Sequence, residues 1–102
     1  MEVRVTDNQA EHRYEVHSGG RLAGFVTYRE EPGRISFTHT EIDDEFEGQG
    51  LGSTLVSEAL DDARKRGLSV LPFCPFVNAY IKRHHEYVDL VPESDRKRFG
   101  LD

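Results

Sequence analysis

The chain reads as short strands as far as Ile42, two of them with alternating apolar and polar residues, and apolar residues then recur at helical spacing from Leu51 onward. Val3-Arg4-Val5 and Arg13 to His17 alternate, and Leu22 to Tyr28 and Arg34 to Ile42 read as the strands that follow them. Alternation of this kind suits strands with one covered and one solvated face. Short polar or glycine-bearing segments separate them, at Asp7-Asn8, Ser18-Gly19-Gly20 and Glu31-Pro32-Gly33. Turns this short join antiparallel neighbours, so the first half predicts a strand meander.

The second half changes period. Leu51, Leu55, Val56, Ala59, Leu60 and Ala63 form one apolar stripe, which predicts a helix from about Leu51 to Arg66. Arg64, Lys65 and Arg66 complement its C-terminal end, and Gly67 sits at the natural cap. Asp61 with Lys65 and Asp62 with Arg66 have the spacing of exposed ion pairs. Leu68 to Leu71 reads as a short buried strand, parallel to the one before the helix through a right-handed crossover. Pro75 favours the first position of a second helix, reaching about His84, with Cys74 at or near its N-cap. The tail from Tyr87 to Asp102 reads as polar, with a short helix after Pro92. Together these elements predict one compact α+β domain over residues 1–102, an antiparallel meander followed by helix, strand and helix.

Composition narrows the partners. A net charge of −6 argues against nucleic acid or an anionic membrane as the main partner, and fits equally a preference for basic substrates or a plain solubility feature. No run approaches the length of a membrane span, and Met1-Glu2-Val3-Arg4 lacks the apolar core of a signal peptide. A lone cysteine, Cys74, excludes an internal disulfide and fits a reducing cytoplasm. His84 and His85 point in different directions from a helix end, and no carboxylate lies at ligand spacing from them, so no metal is expected.

The chemistry concentrates at Glu47-Gly48-Gln49-Gly50-Leu51-Gly52, a glycine-rich turn that opens the first helix. Glycines there let a ligand approach the backbone closely, and the unsatisfied first amides and the positive end of the helix dipole suit a phosphate or pyrophosphate. The turn is neither a P-loop, since Ser53-Thr54 follow Gly52 with no Lys, nor the dinucleotide fingerprint, whose glycines are spaced differently. The alternative is a tight strand-to-helix connection whose glycines serve geometry alone.

The order of elements, and the stretch Ile42 to Gly52, resemble the cofactor-binding half of the GNAT superfamily of N-acetyltransferases. Glu47 stands where Arg or Gln is usual in that motif. The chain is similar above all to the small single-domain GNAT-like family with a Cys-Pro motif. The residues carrying this are His39-Thr40-Glu41, the glycine-rich turn, Pro72 to Val77, and Ala79 to Val91. The resemblance spans most of residues 10 to 92. It implies a compact GNAT-like fold, acetyl-CoA as acetyl donor, and a small-molecule or peptide amine as acceptor. By the same resemblance the backbone of Glu41 to Asp43 bonds the pantetheine arm, and an amide near Ile42 polarises the thioester carbonyl. Gln49, Gly50, Leu51, Gly52, Ser53 and Thr54 hold the pyrophosphate, and Asn78 contacts the cofactor. Tyr80 lies near a superfamily tyrosine that serves as general acid, though packing explains it equally well.

Acetyl transfer needs a base for the amine proton and an acid for the leaving thiolate. His39 and Glu41 lie two apart on one strand, so both point to the same face, together with Phe37. His39 suits proton transfer near neutral pH, and Glu41 either orients it or acts as base itself. A helix N-terminus favours a cysteine thiolate, so Cys74 either accepts the acetyl group with His39 as activating base or protonates the departing thiolate. A buried packing role for Cys74 and a plain polar strand face for His39 and Glu41 are the alternatives. The rival to an enzyme is a non-catalytic acyl-CoA-binding or interaction module.

Overall fold

The computed structural model describes residues 2–102. Strands β1 (Val3–Asn8), β2 (Arg13–Ser18), β3 (Arg21–Glu31), β4 (Arg34–Ile42) and β5 (Ser69–Pro72) build a five-stranded sheet in chain order. β1 to β4 pair antiparallel, and β5 lies parallel to β4. Helix α1 (Leu51–Lys65) is the crossover between those two parallel strands. A helix is required there because parallel neighbours cannot be joined by a tight turn. The stripe from Leu51 to Ala63 is buried against Tyr14, Val16, Val26, Tyr28, Ile35 and Phe37 of the sheet. Leu68 N–H donates to Ala63 O across Gly67, whose φ of +70° closes the helix.

Asp62 meets Arg66 as the spacing predicts, and both carboxylates on the last turns of α1 accept tyrosine hydroxyls. Asp61 accepts the Tyr87 hydroxyl at 2.8 Å, and Asp62 accepts that of Tyr14 while Arg66 approaches it at 3.8 Å. Burial, then the adjacent carboxylate, holds both phenols well above the ordinary tyrosine range, so they remain donors.

Helix α2 (Pro75–Arg83) starts from Cys74, extended at its N-cap, and buries Val77, Tyr80 and Ile81. A 3-10 turn, His85–Leu90, and a short helix α3 (Glu93–Arg96) follow. The expectation of a polar tail is corrected here. The tight turn spaces Tyr87 and Leu90 on one side, and both are buried together with Val91 and Phe99. The segment is fastened to α2 by Asn78 Nδ2, which donates to Phe99 O at 3.0 Å.

One irregularity decides which face the functional strand presents. Tyr28 pairs with Phe37 but Thr27 pairs with His39, so Thr38 is an extra residue in β4. Its hydroxyl lies 2.7 Å from that of Thr27. A single inserted residue reverses the alternation downstream. Ile35 and Phe37 face the helices before the bulge, and Thr40 and Ile42, opposite Val26 and Gly24, face them after it. His39 and Glu41 therefore do not share the face of Phe37, as simple period-two counting requires. They lie on the opposite, helix-free face, beside Thr27 and Phe25.

Candidate functional site

β4 outruns its parallel neighbour. The pairing of β4 with β5 ends at Phe37 and Pro72, and just beyond it Cys74 N–H donates to Phe37 O at 2.8 Å. Pro75 then starts α2, which takes the chain away from the sheet. Among the described residues, the edge of β4 from Thr38 to Ile42 on the β5 side consequently has no strand beside it. Asp43 N–H donates to Ala23 O on the β3 side, at 2.8 Å. Neighbouring strand residues aim their amides at opposite edges, so the Ile42 N–H points into the gap.

Gly24 shapes that end of β4. A side-chain carbon added there would lie 2.5 Å from both Glu41 O and Ile42 Cδ1, so only glycine lets β3 run this close beneath Ile42. A cavity of about 370 Å³ opens beside it, between Leu22–Phe25 and Glu41–Asp44.

The gap continues into the glycine-rich turn. A second cavity, about 300 Å³, is lined by Ile42, Phe46, Gly48, Gly50, Ser53 and Phe76 among others. Gly48 and Gly50 adopt φ of +82° and +73°, and nothing stands within 4 Å of where their side chains would project. The helical ladder of α1 begins with Thr54 N–H donating to Gly50 O at 3.2 Å, and no side chain caps the amides before it. Nor does the first turn carry an acidic residue. Glu47 is exposed, on extended backbone. An open concavity, uncapped amides and a helix N-terminus fit the diphosphate of a coenzyme.

The chemical residues divide between two sides of the gap. On the helix side Cys74 is buried, and its Sγ lies 3.1 Å from the Thr40 hydroxyl. On the other side the exposed His39 Nε2 lies 3.8 Å from Glu41 Oε1. The structure thus brings Cys74 to Thr40 rather than to His39, with the thickness of β4 between imidazole and thiol. Gln49, Gly50, Leu51, Gly52, Ser53 and Thr54 lie at the N-terminal end of α1. Asn78 spends its amide on Phe99 O, while its Oδ1 is buried without a hydrogen-bond partner. Tyr80 is a packing residue, stacked on His84 with ring centres 4.0 Å apart.

Sequence reasoning gave no role to Thr40, which period-two counting put on the wrong face, or to Phe76, which it noted only within the family-like stretch Pro72 to Val77. Among the described residues no His, Cys, Asp and Glu cluster could hold a metal ion, and no helix is long and apolar enough to cross a membrane.

These features define a class. The family model described as GCN5-related N-acetyl-transferase matches residues 13–90, and the chain belongs to that family. Solved structures share the fold. A GCN5-like N-acetyltransferase candidate from Staphylococcus aureus, solved by NMR, is 24% identical with a TM-score of 0.64, over 88% of this chain and 86% of that one. The ribosomal-protein-alanine N-acetyltransferase from Brucella melitensis biovar Abortus is 23% identical with a TM-score of 0.54, over 62% of this chain and 49% of its own. Ard1 from Thermoplasma volcanium is 22% identical with a TM-score of 0.51, over 60% and 43%. The matches thus span about half the length of the latter two proteins. No curated protein matches the chain.

Proposed function

We propose that this domain takes acetyl-CoA as donor in the gap beside β4 and moves its acetyl group to an amine on a small molecule or peptide. The observation that carries the reading is the edge of β4 from Thr38 to Ile42, unpaired by β5 and leading through the 3-10 turn Asp44–Phe46 into the uncapped glycine turn. An extended pantetheine arm carries amides that could complete the strand edge, and the diphosphate would meet the backbone of Gln49 to Thr54. A reducing cytoplasm is the compartment we propose for it, since Cys74 must stay a thiol.

When bound, acetyl-CoA supplies an activated thioester. The Ile42 N–H would donate to the carbonyl oxygen as negative charge develops there. His39 and Glu41, on the helix-free face, would receive the proton that the amine loses as its nitrogen bonds the acetyl carbon. Cys74, on the helix face, would give its thiol proton to the sulfur released when the carbon–sulfur bond breaks, and regain one from solvent. Acid and base on opposite sides of the strand suit direct transfer. An acetyl-Cys route with His39 as activating base asks two groups separated by β4 to meet.

The test is the appearance of free CoA thiol, with acetylated amine in equal amount, when polyamines or basic peptides are added to the protein and acetyl-CoA. Matched yields are expected. Saturable CoA binding without release for any amine class would instead make the domain an acyl-CoA-binding module.

A further inference from the structure

Phe76 is a large apolar side chain left 40% exposed, on the first turn of α2. It does not stand on open surface. Its ring lines the cavity at the glycine turn and lies against Gly52, so closely that a methyl group built on Gly52 would be 2.7 Å from Cζ. The missing side chain at Gly52 is what lets a phenyl ring reach the first turn of α1. An apolar ring beside an anion cradle gains nothing from phosphate oxygens, and an exposed ring in a concavity is a contact awaiting an apolar partner.

In acetyl-CoA such a partner sits at the right place. One methylene beyond the diphosphate is a quaternary carbon bearing two methyl groups, the branched start of the pantoyl segment. We infer that Phe76 receives these two methyl groups and so selects a pantoyl-bearing diphosphate over a plain nucleoside diphosphate. The inference rests on the glycine turn being the diphosphate cradle. Ile42 and Phe46, on the same cavity, extend the apolar wall toward the gap. Because the ring is half exposed, its removal leaves the core intact.

The experiment combines CoA titration of the wild-type domain and of Phe76→Ala with a nuclear Overhauser measurement on the wild-type complex. Contacts are expected between the Phe76 ring protons and the geminal methyls of bound CoA. Phe76→Ala is expected to bind CoA about tenfold more weakly, the effect of losing one partly buried ring, at an unchanged melting temperature. Bound CoA without those contacts, or a variant that binds as tightly as wild type, overturns the role of Phe76 and leaves the cradle standing. A wild-type domain that binds no CoA overturns the cradle itself and this inference with it.

Discussion

Thr40 Oγ1 lies 3.1 Å from Cys74 Sγ and joins the unpaired end of β4 to the N-cap of α2. The contact exists because Thr38 is bulged out of the pairing, which turns Thr40 toward the helices. It holds the buried thiol on the helix side of β4, away from His39.

Cys74→Ala should leave CoA binding nearly unchanged, since the cradle is backbone. Acetyl transfer should fall about a hundredfold or more, the usual loss when a positioned proton donor is removed. Calorimetry and thiol release on the same preparation separate the two. Full activity would make Cys74 a packing residue.

His39→Gln and Glu41→Gln should each lower kcat/KM and change its pH profile, with little change in the melting temperature. Both side chains are exposed, and an exposed pair of this kind contributes at most about 1 kcal/mol to stability. An unaltered pH profile in both variants would assign the amine proton to another group.

Gly50→Val should weaken CoA binding while the domain still folds. A β-branched residue at φ of +73° costs about 1–2 kcal/mol, and its side chain would project into the space that the ligand needs. A lower melting temperature with undiminished CoA affinity would count against the cradle.

Much of this was legible in the chain. The bounds of β4, the start of α1 and the Pro75 start of α2 follow from alternation, an apolar stripe and proline's fixed geometry. The face of His39 is misread because counting by twos from Phe37 runs straight through the polar Thr38-His39-Thr40-Glu41; the local mark of an inserted residue is that Ile42 falls out of phase with Ile35 and Phe37. The burial of Leu90, Val91 and Phe99 was hidden because a 3-10 turn and irregular chain bring them inward without a period of their own. Phe76 reads as an ordinary surface position until the glycine it touches, 24 residues earlier in sequence, is brought beside it.

Acid should destabilise the domain partly through Glu15, a largely buried carboxylate on the helix-free face. Burial raises its protonation tendency, but hydrogen bonds from Arg13 and Asn8 outweigh this and hold the group below its ordinary value of 4.5. A folded value below the unfolded one means the contribution is full above the ordinary carboxylate range and is lost as pH falls through the folded value. Urea midpoints measured from about pH 7 down to about pH 3 should therefore fall less steeply at the acid end for Glu15→Gln than for wild type. Parallel curves would show that Glu15 is not a source of the acid sensitivity.

The most direct measurement is amide mapping of acetyl-CoA binding by NMR titration of the labelled domain. The account predicts saturable shifts at Glu41 to Asp43 along the free edge of β4 and at Gln49 to Thr54 around the turn, with β1 and β2 unmoved. No shifts at millimolar ligand, or shifts centred away from β4 and the turn, would contradict it.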